Sequence, residues 1–355
     1  MEYYDKEEFI DIVVSHAGFL RCLINTSRGI PRTTLVNSNN GAVNIIENPF
    51  EQLKIEQKTR AMASKVFVVE TFEKKYVVKL KDRNLLPEDY EEERILNIID
   101  KEIDGIPTVL CLNGTNQSSS KVLRFVNGDT VFGILDEISK KALIEKFSNM
   151  RYILGSMESK VYKPIDIYGE IKELEKIATH DYVKKYGQSI LRDSVNRSKL
   201  EISNYCLIHN DLNRDNILFE KKDNGTVNVN IIDWEGLGLY PCEYQLASFL
   251  VSAILIEGYS AEETVQIARR IEPDWDEDFV TYLMKFRIYK GLHFFAEHKN
   301  IYTESNPKTA KEILKMYFFA AEKLEKYRER KKFTSIYGNL QEKVLKSTLN
   351  SSNER

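Results

Sequence analysis

The sequence predicts an α+β fold in two lobes: a small antiparallel β-sheet with one helix, then a mainly helical lobe. Three observations carry this. Two β-rich runs, "SKVFVVE" from Ser64 and "KYVVKL" from Lys75, follow each other closely. Residues 64–126 as a whole read β-β-α-β-β. After "NGD", Asn127–Asp129, apolar residues recur mostly at helical spacing as far as about residue 330.

Taken in order, residues 1–59 read as an N-terminal extension that would extend the first lobe's sheet or cover the cleft. "EEFIDIVVSHAGFLRCLI" has helical spacing, and "NTSRGIPRTTLVNSNNG" reads as loop. The runs from Ser64 and Lys75 read as a hairpin. In "LPEDYEEERILNIID", Pro87 stands near the start and acids fill the first turns. Ile95, Leu96, Ile98 and Ile99 then recur, which marks a helix with favourable N-terminal charge. "IPTVLCL" and "KVLRFV" are two more strands around the polar "NGTNQSSS". The composition shift near Asn127 separates a first lobe, 60–126, from a second, 127–330, with a polar tail at 331–355. Helices are expected over 130–155, 168–192, 242–257, 260–271, 276–298 and 307–330.

The chain has 355 residues, 42% of them hydrophobic, enough for a sizeable core. A net charge of -3 gives no bulk attraction to nucleic acid or anionic lipid. Cys22, Cys111, Cys206 and Cys242 lack the short spacings of metal or redox motifs and read as reduced thiols. The N-terminus is acidic, unlike a targeting peptide, and the longest apolar stretch, Tyr244–Ile256, is too short to span a bilayer. A cytoplasmic protein is expected.

The chemistry concentrates in "LIHNDLNRDNILF", Leu207–Phe219, a polar loop between two short apolar strands. With Asp233 at the end of "VNIID", three oxygen-bearing side chains stand at strand ends: Asp211, Asn216 and Asp233. Convergent oxygens suit a hard cation such as Mg²⁺, and a carboxylate off the metal can take a proton from an attacking hydroxyl. Upstream, Lys79 lies near the end of a strand, and Glu91, Glu92 and Glu93 follow on the next helix. A strand lysine and a helix glutamate hold nucleotide phosphates in the kinase template. Lys79 alone would read as a solvated edge residue, and the glutamates as a solvated face. The His-x-Asp-x-x-x-x-Asn spacing alone would arise by chance at a rate of about 1% in such a chain. The ordered set of lysine, loop and strand aspartate is what argues against coincidence.

"HNDLNRDN", "SKVFVVETFEKKYVVKL", "KVLRFVNGDTV" and "IIDWE" together resemble the aminoglycoside phosphotransferase and choline kinase superfamily of small-molecule kinases, over about residues 60–260. The resemblance implies a two-lobed protein-kinase-like fold. It implies transfer of the γ-phosphate of ATP, with Mg²⁺, to a hydroxyl of a small molecule; GTP use stays open. It implies that Asp211 orients and deprotonates the acceptor, and that Asn216 and Asp233 bind Mg²⁺. Lys79 would hold the phosphates with Glu92 as its ion-pair partner, and Ser64 would cap the β-phosphate. Phe125 would pack on the base, with backbone groups from Arg124 to Val126 at its edge. His209 would brace the loop, and Arg214 would reach a phosphate.

The sequence also departs from the pattern. There is no Gly-x-Gly-x-x-Gly, and Gln245 stands where many members carry aspartate, with Glu243 as a substitute. The Trp-Glu ending, Trp234–Glu235, is closer to choline-kinase-like members. Choline-like, sugar and aminoglycoside acceptors all fit. The last needs an acidic cleft, for which Glu235, Glu243, Glu257 and Asp276 are candidates, and the aromatic run at 286–295 reads as a core stripe or an acceptor wall. The alternatives are a pseudokinase with a regulatory role and an atypical protein kinase.

Overall fold

Antiparallel pairing organises the first part of the chain. The computed structural model describes residues 36–37, 43–44, 54–61, 64–70, 75–81, 83–114, 119–297 and 312–331. These form two compact units. One holds the described residues up to Asp129, with Ser159–Tyr162 and Ile217–Glu235; the other holds Thr130–Glu158, Lys163–Asn216 and the described residues from Gly236.

In the first unit, strands β1 (Lys54–Ala61), β2 (Ser64–Glu70), β3 (Lys75–Lys81), β4 (Val109–Gly114) and β5 (Ser119–Arg124) make one antiparallel sheet, in the order β1-β2-β3-β5-β4. β1 therefore extends the sheet beyond the hairpin read from sequence. Helix α1 (Pro87–Glu102) buries Ile95, Leu96 and Ile99, and Val78, Leu80 and Val122 are buried on the sheet. Burying side chains of this size stabilises the fold by roughly 1.5–3 kcal/mol each. Two later strands, β7 (Ile217–Lys221) and β8 (Val227–Ile231), form a hairpin in this unit. Ile231 N–H donates to Gly105 O, and Asn230 Nδ2 donates to Asn127 O. Gly105, at φ +77°, has no alternative: a Cβ there would lie 1.8 Å from Asn230 Oδ1.

In the second unit, α2 (Glu137–Gly155), α3 (Ile167–Ile177), α4 (Asp181–Leu191) and α5 (Ser194–Ile202) precede β6 (Tyr205–His209). β6 pairs antiparallel with β9 (Leu237–Pro241), placing His209 opposite Leu237. Helix α6 (Cys242–Phe249) continues into a π-turn at Leu250–Leu255, and both stretches are almost wholly buried. α7 (Ala261–Ile271), α8 (Glu277–Glu297) and α9 (312–331) complete the described residues. Phe147 of α2 stacks on Phe249 of α6 with ring centres 4.0 Å apart.

Three helical expectations change. The helix expected from residue 130 starts at Glu137, because Gly133 and Leu135 donate their N–H groups to Glu257 and the Tyr259 hydroxyl, and Asp136 caps the helix through Ser139 N–H. The stretch 168–192 is two helices, since Ala178 and His180 are extended. Helix α5 lies outside every helix expected from the sequence; it buries only Asn196 and Leu200, and Asp193 caps it. Cys206 and Cys242 are free thiols, whereas Cys111 is disulfide-bonded, unlike the four reduced thiols expected.

Candidate active site

Period-two alternation puts Lys79 and Lys81 on one face of β3, and pairing puts Lys121 of β5 directly opposite Lys79. All three are buried. Like charges placed opposite each other are unfavourable, so this face needs carboxylates, and four meet it. Lys79 Nζ lies 2.5 Å from Asp233 Oδ1 and 3.3 Å from Glu235 Oε1. Lys81 reaches Glu235 Oε2 at 2.9 Å and Asp89 at 3.3 Å. Lys121 donates to Glu92 Oε2 at 2.5 Å. The expected pairing of Lys79 with Glu92 is thereby corrected: α1 aims Glu92 at the lysine of β5, and Lys79 turns to the Asp233 loop.

Arg83 adds a two-pronged contact to Asp89 at 2.6 and 3.1 Å. Burial opposes ionisation of Asp89, but Arg83, Leu86 N–H, Lys81 and Lys121 outweigh it and bring its pKa down to about 2. Glu235 follows the same logic: burial raises it, and Lys79, Lys81 and Lys121 hold it at about 2. Burial pushes Glu92 up despite Lys121.

Asp233 follows β8 with φ +60°, the one non-glycine residue with positive φ among the described residues. Such strain gathers at functional sites. Its neighbour Trp234 is buried and donates Nε1–H to Ile231 O at 2.9 Å, anchoring the turn.

The second unit carries the loop after β6. His209 is fully buried, and its Nδ1 accepts Asp211 N–H at 3.3 Å. Both Asp211 carboxylate oxygens are oriented: Oδ1 accepts from Asn213 Nδ2, and Oδ2 from Asn216 Nδ2, each at 3.0 Å. Asn216 also donates to Asp211 O at 2.8 Å. Gly236 lets the chain pass close by, because a Cβ there would be 3.2 Å from Asp211 Cβ. Arg287 of α8 brings Nη2 to 3.8 Å from Asp211 Oδ1. The strands flanking this loop belong to different sheets: β6 pairs with β9, and β7 with β8.

Other expected residues fall as follows. Ser64 opens β2 opposite Ala61; its side chain lies outside the described residues. Arg124 is exposed and pairs with Asp100 at 3.1 Å, and its N–H donates to Thr108 O, so that group is already used. Phe125 and Val126 are half-buried past the end of β5, with Lys75 Nζ 5.9 Å from the Phe125 ring centre. Arg214 is not a phosphate ligand. It is 1% exposed and donates to Ala253 O and Val131 O at 2.7 and 2.8 Å, tying the loop to the π-turn. Both polar atoms of Gln245 are buried without a partner, as is Glu243 Oε2. Sequence reading missed Lys81, Lys121, Asp89 and Arg287; only Lys81, two residues after Lys79, left a local signal.

A family described as "Phosphotransferase enzyme family" matches residues 190–278, which include the loop and Asp233. Among solved structures, the GDP and kanamycin complex of APH(2″)-IIia matches with TM-score 0.58 at 14% identity, covering 74% of this chain and 92% of that one. The aminoglycoside phosphotransferase APH(4)-Ia matches with TM-score 0.56 at 14% identity, covering 78% of this chain and 95% of its own. The fold is that of the aminoglycoside phosphotransferases, two-lobed and protein-kinase-like. A spectinomycin phosphotransferase, APH(9)-Ia, in complex with ADP and spectinomycin, matches with TM-score 0.50 at 14% identity, covering 75% of this chain and 88% of its own. No curated protein sequence matches. Among the described residues, no helix of this phosphotransferase-like fold is long and apolar enough to cross a membrane.

Proposed function

We propose that the protein is an ATP- and Mg²⁺-dependent kinase of small molecules, moving the γ-phosphate to a hydroxyl. The observation that carries this is Asp211, with each oxygen held by an amide and its backbone braced by His209. A carboxylate so oriented is fit to align an acceptor hydroxyl and take its proton. Lys79 would exchange Asp233 for nucleotide phosphate, leaving Lys81 on Glu235 and Lys121 on Glu92. Phe125 would pack on the base, beside backbone groups of Val126, and Ser64 would cap a phosphate.

Asn216 and Asp233 would each offer an oxygen to a hard cation. Asn216 turns its amide nitrogen to Asp211, leaving Oδ1 as a donor, and the Asp233 side chain is 42% exposed. Substrate phosphates and water would complete the shell. Mg²⁺, when bound, neutralises charge on the transferring phosphate.

Solved neighbours hold ADP, GDP or AMP-PNP, which supports a nucleotide donor and leaves ATP against GTP to experiment. They also hold kanamycin, hygromycin B or spectinomycin, which supports a small hydroxyl-bearing acceptor. The test is Mg²⁺-ATP or Mg²⁺-GTP with an acceptor panel, reading nucleoside diphosphate and the phosphorylated product by mass. Turnover undiminished in Asp211→Asn would overturn the assignment. Nucleotide binding without turnover would point to a pseudokinase, and phosphate incorporated only into protein would point to a protein kinase.

A further inference from the structure

An aminoglycoside or other polycationic acceptor needs acids near the hydroxyl it presents. Three of the four acidic candidates are engaged in other contacts. Glu235 is clamped by Lys79 and Lys81 in the first unit. Glu257 accepts from Gly133 N–H beside Arg214. Asp276 pairs with Lys199 and caps the start of α8. Glu243, the fourth, has Oε2 buried without a partner and lies by Cys206 and Cys242. Asp215 also lies near Asp211, but the charged side chain that reaches the Asp211 carboxylate is a cation, Arg287.

Arg287 has donors to spare. Its side chain is only 13% exposed, its contact with Asp211 at 3.8 Å is too long for a hydrogen bond, and its buried Nε has no partner. Asp211 does not need it for orientation, because Asn213 and Asn216 already hold both oxygens. Burial works against the guanidinium charge, yet the surrounding Tyr317, Tyr244, Asp211 and Tyr240 raise its pKa. The Tyr240 and Tyr244 rings stack at 4.8 Å, and the buried Tyr244 hydroxyl also lacks a partner. A second cation, Lys290, lies 5.8 Å from the Tyr240 ring centre and is neutralised by Glu170 at 2.7 Å. A half-satisfied buried guanidinium is costly unless a ligand completes it, and its planar fork matches an oxyacid.

The geometry points to an acceptor that carries an anionic oxyacid group, carboxylate or phosphate, near the hydroxyl that is phosphorylated, with Arg287 as the residue that selects it. The inference rests on the phosphotransferase reading, since Asp211 marks the end of the acceptor that reacts. It sets sugar acids, hydroxy acids and sugar phosphates ahead of choline-like and aminoglycoside acceptors.

The test uses the full chain with Mg²⁺-ATP and matched acceptors: glycerate against glycerol, gluconate against sorbitol, glucose 6-phosphate against glucose, with choline and kanamycin as cations. The carboxylate and phosphate arms separate the two oxyacids. At least one acid is expected to exceed its neutral twin about tenfold or more in kcat/KM. Arg287→Gln should erase that ratio by about 10- to 100-fold, chiefly through KM, and Arg287→Lys should restore part of it. Thermal melting checks that both variants fold. A neutral or cationic acceptor used as well as the acids, or an unchanged ratio in Arg287→Gln, overturns the inference and leaves the kinase reading standing. If nothing is phosphorylated, the kinase reading fails, and calorimetry of the same acids on nucleotide-loaded protein decides this one. Binding lost in Arg287→Gln sustains it; no Arg287-dependent binding overturns it.

Discussion

At φ +60°, Asp233 occupies a backbone region that costs an ordinary L residue roughly 1–2 kcal/mol. Glycine adopts it freely, and a β-branched residue does not. Asp233→Gly and Asp233→Val both remove the carboxylate that Lys79 meets, so their difference isolates the backbone. The valine variant should be less stable than the glycine variant by about 1–2 kcal/mol in urea unfolding. At Asp211 the expectation concerns rate. Asp211→Asn keeps an acceptor for the Asn216 amide but loses the base, so kcat should fall about 10²- to 10⁴-fold while nucleotide affinity holds. Asp211, Asn216 and His209 were legible because they sit within one octapeptide whose polar content makes no sense as core. Arg287 was not legible: it lies in an aromatic helix stripe, and no local pattern ties it to a loop 76 residues earlier.

The element that distinguishes this fold's first unit is the lysine-bearing face of β3 and β5, answered by α1 and the Asp233 turn. Glu235 and Asp89 titrate near pH 2, below their ordinary values of 4.5 and 3.8. In the unfolded chain they bind protons first as the pH drops. Their stabilisation is thus present above about pH 4.5 and is lost as the pH falls through about 2. Glu235→Gln should flatten that acid limb in urea titrations at successive pH values, by roughly 2 kcal/mol between pH 5 and pH 2.5. Glu92→Ala should cost about 3–5 kcal/mol, because it leaves the buried Lys121 ammonium without its hydrogen-bonded carboxylate, only Asp89 at 4.0 Å remaining, and adding Lys121→Met should recover most of the loss. Alternation in "KYVVKLK" already put Lys79 and Lys81 on one face. The place of Lys121 depends on a strand register set across about forty residues, and with it the choice of Glu92 over its neighbours.

For the whole molecule, the chain leaves the first unit at Asp129 and returns to it over Ile217–Glu235. β7 and β8 bury Ile217, Phe219, Val229 and Ile231 there. A fragment ending at Asp129 lacks this hairpin, and a fragment starting at Thr130 carries it away from Gly105 and Asn127. Neither is expected to show cooperative thermal unfolding by circular dichroism, whereas the two co-expressed should recover nucleotide-induced stabilisation. The composition shift near Asn127 was visible in the sequence. The return of the later segment was not, because "NVNII" announces a strand without saying which sheet receives it.

The turn that carries Asp233 also supplies an optical instrument. The chain has two tryptophans, and Trp234 is the fully buried one, its indole fixed to Ile231 O next to the metal-binding candidate. Replacing the half-exposed Trp275 with phenylalanine would leave a single emitter in an apolar setting. Its blue-shifted fluorescence would then report, without label or coupled enzyme, each time a ligand pulls Lys79 off its carboxylate.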